Sequence, residues 1–159
     1  MKTIIAILYA HLVKRQNKKW IDNPIKWQTN TFKKLIKNGI KTEFGKNHDF
    51  ENIKSYDQYK EKVPVRDYEE LRPYIEKVVN GEKDILWPGK PLYFAKTSGT
   101  TSGAKYIPIT KESIKTHIRS ARDALLNYFL KTKNFKPLNG KHMFLQGSPE
   151  LDKKQGIYH

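Results

Sequence analysis

Seven consecutive small residues, Thr97 to Gly103, followed two positions later by Lys105, are the part of this sequence best suited to chemistry. No side chain in TSGTTSG is larger than threonine, so backbone N–H groups can close around an anion. The hydroxyls of Thr97, Ser98, Thr100, Thr101 and Ser102 can donate to the same anion, Gly99 and Gly103 free the backbone path, and Lys105 adds a cation. Ahead of the loop, PLYFAK has the apolar and aromatic character of a strand entering from a turn at Pro88 and Gly89. Behind it, Tyr106 to Ile109 alternate like a second strand, so the unit reads strand, polar loop, strand, a cradle for phosphate. The same composition also suits a surface turn, and residue types alone leave both readings open. The G-x-x-x-x-G-K-[ST] loop of P-loop nucleotide hydrolases is excluded, because the glycine spacing is wrong, Tyr106 follows the lysine, and a strand follows instead of a helix.

The elements that must position this loop are mostly helical. Ile4 to Val13 is an apolar run between Lys2 and Lys14-Arg15, which imitates a signal peptide. His11 interrupts it, no small-x-small cleavage site follows, and ten residues are too few to span a membrane. A buried amphipathic helix to about Trp20 is expected, and with it a cytosolic protein. Asp22-Asn-Pro24 reads as a break. A second helix is expected from Thr29 or Thr31 to Gly39, with Phe32, Leu35 and Ile36 on its apolar stripe. Thr42 to Phe50 reads as a loop of scaffold, and Ser55 as the cap of a short helix, Tyr56 to Glu61.

Asp67 and Glu70 have the spacing of a capping box, with Leu71, Ile75, Val78 and Val79 as the buried face behind it. Pro73 interrupts that pattern, so a turn giving way to a new helix at the proline is expected. Arg66 and Arg72 read as surface partners of nearby carboxylates. After the loop, Thr110 to Lys131 is the strongest helical pattern, with Ile114, Ile118, Ala121, Leu125 and Phe129 as its stripe. Pro137 to Gly140 is a turn, and Lys141 to Gln146 has the apolar character of a buried strand. No closing element is legible between there and His159.

The loop resembles that of the adenylate-forming superfamily, which runs TSGTT, a small residue and then a lysine between two strands. With SG after TT and an Ile107-Pro108 pair in the second strand, it is similar to the acyl acid–amido synthetases. That family was first known from auxin-responsive plant proteins and also occurs in bacteria, and the resemblance is to its bacterial branch. Four further blocks follow the family's order: TEFG at Thr42–Gly45, VPVRDY at Val63–Tyr68, PYI at Pro73–Ile75 and NGE at Asn80–Glu82. The similarity runs from about Arg15 to Gln146.

The resemblance implies an α/β fold in which amino-terminal helices precede the start of an adenylate-forming-type sheet. Residues 1–87 would be a mainly helical lead-in, and 88–159 the hairpin, the long helix and a strand. The chain would then be the amino-terminal portion of a large domain, inactive by itself, with the rest of that domain and a carboxy-terminal domain missing. The intact protein is expected to be a monomeric ligase that uses ATP and Mg2+ to join a small carboxylic acid to an amine such as an amino acid. Thr97, Ser98, Gly99, Thr100, Thr101, Ser102, Gly103 and Lys105 are the implied phosphate contacts, and the Mg2+ ligand is expected downstream. Arg122 reads as a snorkelling side chain at a core edge. The family alternative gives Arg122 or Arg119 a place against the acyl substrate's carboxylate.

Composition bounds the alternatives. The net charge of +15 invites a nucleic-acid reading, yet all but five of the 31 cations are lysine, spread along the chain. Base and phosphate readers favour arginine forks, so most of the charge is read as a solvated surface. A basic nucleic-acid-binding module or another interaction domain remains the competing class, told apart by salt-dependent DNA retention. There is no cysteine, and five scattered histidines lack ligand spacing, so no metal centre is expected. No partnership with nucleic acid or membrane is expected.

Overall fold

A computed structural model of the protein describes residues 2–97, 105–141, 153–154 and 157–158. In chain order the helices are α1 (Lys2–Ile21), α2 (Pro24–Gly39), α3 (Glu43–Asn47), α4 (Tyr56–Lys62), α5 (Tyr68–Val79) and α6 (Lys111–Thr132). The strands are β1 (Tyr93–Thr97), β2 (Lys105–Ile109), β3 (Lys153–Lys154) and β4 (Ile157–Tyr158). The fold is α/β, a partial domain with the helices leading. It divides into two compact units, residues 1–28 with 112–149, and residues 29–111 with 150–159. No helix among the described residues is long and apolar enough to cross a membrane.

In the first unit, Ala10 and Val13 of α1 pack on Leu126 and Phe129 of α6, with Leu130, Phe135 and Leu138 around them. The expected stripe of α6 is only partly the one that is buried. Phe129 is fully enclosed, but Ile118 and Leu125 stay 64% and 40% exposed. Leu126 and the half-buried Arg122 and Asp123 take their place on the inner side. Periodicity marks apolar positions without saying which side a neighbour will cover. Here α1 supplies polar partners that let a charged pair join the seam.

The Asp123 carboxylate accepts from Asn17 of α1 at 3.0 Å on one oxygen. Its other oxygen accepts from Arg122 Nε at 2.8 Å and Nη2 at 2.6 Å. Burial alone would raise the pKa of Asp123; the bonds from Asn17 and Arg122 outweigh it and leave the group below the ordinary carboxylate value. A carboxylate with a lowered folded pKa stabilises the fold above its unfolded value of about 3.9 and loses that contribution as pH falls through the folded value. Asp123→Asn should therefore be the less stable protein at neutral pH, with the difference closing in strong acid. Urea midpoints measured across the acid range check this; a gap that does not narrow would contradict it.

The second unit carries the sheet, in the order β2-β1-β4-β3. β1 and β2 are antiparallel neighbours paired from Tyr93↔Ile109 to Thr97↔Lys105. β4 lies parallel to β1 through Tyr93↔Tyr158, and β3 pairs antiparallel with β4. β3 and β4 are short strands that the sequence did not signal, since two-residue strands leave no periodic pattern, and the domain remains partial. Under the sheet lie Ile75, Val78 and Val79 of α5, with Ile85, Phe94 and Ile157. The expected strand from Lys141 to Gln146 falls, beyond Lys141 itself, outside the described residues.

Three boundaries differ from expectation. α2 begins at Pro24 instead of Thr29, because a proline without an N–H to lose suits a first helical position, and Asn23 O accepts from Trp27 N at 3.2 Å. Within the stretch read as a loop, Thr42 caps α3: it is 1% exposed, and its Oγ1 accepts from Gly45 N at 3.0 Å while donating to Gly39 O at 2.7 Å. Gly45 is required there, because a Cβ would fall 1.9 Å from Gly39 O. The scaffold role expected of TEFG holds, and a helix performs it. Finally, α5 continues through Pro73 as one helix.

Candidate functional site: the hairpin and what holds it

The loop's two described ends are a cross-strand pair. Thr97 closes β1 and Lys105 opens β2, directly opposite each other. Antiparallel partners have Cα atoms about 4.5–5.5 Å apart, so the ladder pins both ends of the segment between them. Ser98, Gly99, Thr100, Thr101, Ser102 and Gly103 lie outside the described residues. The ladder does not stop at the strands, as Leu92 N donates to Ile109 O at 2.8 Å. Phe94 is buried and meets Tyr106 edge to face at 5.9 Å, which fixes the hairpin on the core.

α5 reaches the outgoing stem through its first residue. Asp67 accepts from Glu70 N at 2.9 Å and Glu70 Oε2 accepts from Asp67 N at 2.9 Å, the reciprocal box its spacing predicts. Tyr68, next in line, accepts through its hydroxyl from Tyr106 N at 2.8 Å. The Lys105 ammonium lies over the same ring, 5.2 Å from its centroid. One tyrosine thus holds the backbone of one loop-stem residue and the charge of its neighbour. Tyr68 stands inside the VPVRDY block, but no spacing rule connects it to a residue 38 positions on. Asp67→Ala should cost about 0.5–2 kcal/mol of stability, read from denaturant midpoints; an unchanged midpoint would show that the box contributes nothing.

The helix survives Pro73 because its start is capped and its far half is buried. Proline removes one backbone bond and crowds a preceding carbonyl, at about 3 kcal/mol or more. Against this stand the box and three buried residues, Ile75, Val78 and Val79, each contributing about 1.5–3 kcal/mol. Gly81, at φ +90°, ends the helix by donating to Val78 O at 3.0 Å.

The remaining expected residues separate. Arg119 is exposed on α6 and, like Arg122, belongs to the first unit, whereas the hairpin belongs to the second. Besides Asp123, Arg122 donates to Tyr9 Oη at 2.9 Å and lies 5.7 Å from that ring's centroid. The hydrogen bonds that it donates to Asp123 raise its pKa further. Arg72 pairs with Glu69 at 2.8 Å, as expected. Arg66 instead meets a ring: its Nη2 lies 3.1 Å from His48 Nε2, while His48 Nδ1 lies 2.7 Å from Phe44 O. A carbonyl can only accept, so Nδ1 donates and Nε2 is left to accept from Arg66. Among the described residues no group of three or more His, Cys, Asp or Glu could hold a metal ion.

The described residues give a strand–loop–strand hairpin buttressed by a capped helix, and sequence comparison gives the chain a family. The GH3 family N-terminal domain matches residues 13–159, and the chain belongs to that family. It is 27% identical over 133 residues, 82% of its length, to a jasmonoyl–L-amino acid synthetase, GH3.5, of Oryza sativa subsp. japonica. It is 33% identical over 104 residues, 62% of its length, to a probable indole-3-acetic acid-amido synthetase, GH3.13, of the same species. Indole-3-acetic acid-amido synthetase GH3.2 of Arabidopsis thaliana is 27% identical over 138 residues, 86% of this chain. The matched regions are 22%, 21% and 22% of those relatives, so the chain spans about a fifth of their length. All three are plant proteins, and the similarity does not bear on a bacterial branch.

Proposed function

We infer that this chain is the amino-terminal portion of an ATP-dependent acyl-acid amido synthetase and carries the loop that holds the triphosphate. In the first half-reaction a carboxylate oxygen of the acid attacks the α-phosphorus of ATP, and the bond to the bridging oxygen breaks to release pyrophosphate. In the second, an amine nitrogen attacks the acyl carbon of the adenylate; AMP leaves, and the amine's proton passes to solvent. The amine is that of an amino acid, the acid a small carboxylic acid.

The observation that supports this reading is the pairing of Thr97 with Lys105 across the hairpin, within a chain that belongs to the GH3 family. Donors fixed before the substrate arrives stabilise developing charge without reorganising, which is what a departing pyrophosphate requires. Thr97, Ser98, Gly99, Thr100, Thr101, Ser102, Gly103 and Lys105 are proposed to contact the β- and γ-phosphates. Mg2+ would accompany the triphosphate as its usual companion and neutralise part of its charge. The Asp123 and Tyr9 contacts favour a structural role for Arg122 over contact with the acyl substrate.

The test is isotope exchange in the intact protein. Labelled pyrophosphate should enter ATP only when a carboxylic acid is present, and addition of an amino acid should divert the adenylate to amide. Exchange that ignores the acid, or fails with every acid tried, would remove the reading.

A further inference from the structure

We propose that Tyr68 is a positioning residue for the phosphate loop, setting the outgoing stem and restraining the Lys105 ammonium before an anion arrives. The proposal rests on the phosphate-loop reading above and adds to it the group that prepares the loop for its ligand.

Three observations converge on this side chain. Its hydroxyl accepts the Tyr106 backbone N–H at 2.8 Å, from the side of β2 that faces away from β1. An extra anchor at the second residue of β2 limits how far the loop's outgoing end can move. Its ring lies 5.2 Å from Lys105 Nζ. Between two half-buried residues such a cation–π contact is worth about 0.5–2 kcal/mol, enough to narrow the wandering of a lysine and little enough to yield to a phosphate oxygen. Its own placement is fixed from behind, because Asp67 and Glu70 lock the first turn of α5 and the ring packs against the core of Ile75, Val78 and Phe94.

A lysine has the rotamer freedom of a long flexible stem to lose on binding. Holding it over an aromatic face beforehand removes part of that loss from the binding step. Anchoring the Tyr106 amide does the same for the backbone. Tyr68 therefore acts on pyrophosphate affinity through Lys105 and the stem, without needing to touch phosphate itself.

Two variants separate the two contacts. Tyr68→Phe keeps the ring and removes the acceptor; Tyr68→Leu removes both. In acid-dependent ATP–pyrophosphate exchange by the intact protein, Tyr68→Phe should raise the KM for pyrophosphate about two- to twelvefold, the range of one net hydrogen bond. Tyr68→Leu should raise it about two- to thirtyfold more, the range of a half-buried cation–π contact. Amide formation from a supplied acyl-adenylate should keep its rate in both, since pyrophosphate has then gone. Faster exchange of the Tyr106 amide proton in Tyr68→Phe supports the anchor even if the leucine variant folds poorly.

An unchanged KM in both variants, with a parent that exchanges normally, would overturn the role of Tyr68 and leave the phosphate loop standing. Parallel loss in both half-reactions would reduce Tyr68 to a folding residue and overturn it too. A parent with no exchange would overturn the phosphate-loop reading, and this proposal with it.

Discussion

In the intact protein, on the function proposed above, replacing Ser98 and Thr101 together with alanine is expected to lower acid-dependent ATP–pyrophosphate exchange by about a hundred- to thousand-fold. Each change removes a hydroxyl donor but keeps Gly99 and Gly103, so the backbone path stays open. Losing one preorganised donor in an oxyanion-type site costs about 2.7–4 kcal/mol, which is that range in rate. Amide formation from a pre-made acyl-adenylate should be far less affected, because its leaving group is AMP. The contrast between the half-reactions is the decisive measurement. Equal impairment would make the loop a general folding element, and unimpaired exchange would mean that these hydroxyls do not meet phosphate.

The largest stability effect is expected from Phe129→Ala. Phe129 is 0% exposed and stands at the centre of the cluster formed by Ala10, Val13 and Leu126, with Phe135 5.5 Å away ring to ring. Truncating a buried phenylalanine typically costs about 3–5 kcal/mol, from lost transfer energy and the cavity left behind. Ile118→Ala on the same helix should cost far less, its side chain being largely in solvent. Denaturant midpoints of the two variants test which side of α6 is the buried one. A larger loss from Ile118→Ala would restore the stripe that periodicity suggests and contradict the packing described above.

That pair of residues also shows what the sequence could and could not convey. Caps were legible because they are local: Ser55, Asp67 and Glu70 each bond a backbone or side-chain group three residues away. The hairpin was legible because strand, loop and strand are contiguous. What escaped depends on partners far along the chain. Leu126 is buried in place of Leu125 because α1 lies on that side, with Asn17 meeting Asp123 across 106 positions. α3 was hidden because Gly45 argues against a helix on propensity, and only the nearness of Gly39 O explains it. His48 and Arg66, 18 residues apart, pair through atoms that no spacing rule connects. The expected phosphate contacts came from resemblance, and of them Thr97 and Lys105 could then be followed into the ladder, Lys105 also to the Tyr68 ring.

The parallel pairing of β4 with β1 has a bearing on how the protein is made. Tyr93 and its partner Tyr158 are about 65 residues apart, whereas β1 and β2 pair within one short hairpin. At about 5–20 residues per second, a ribosome needs roughly 3–13 s to travel that distance. For that interval the loop-bearing strand has β2 on one side and an open edge on the other, a template for pairing with another chain. Lys96, within β1 and exposed, places positive charge on that strand, and charge on an open edge works against pairing of two copies before β4 is translated.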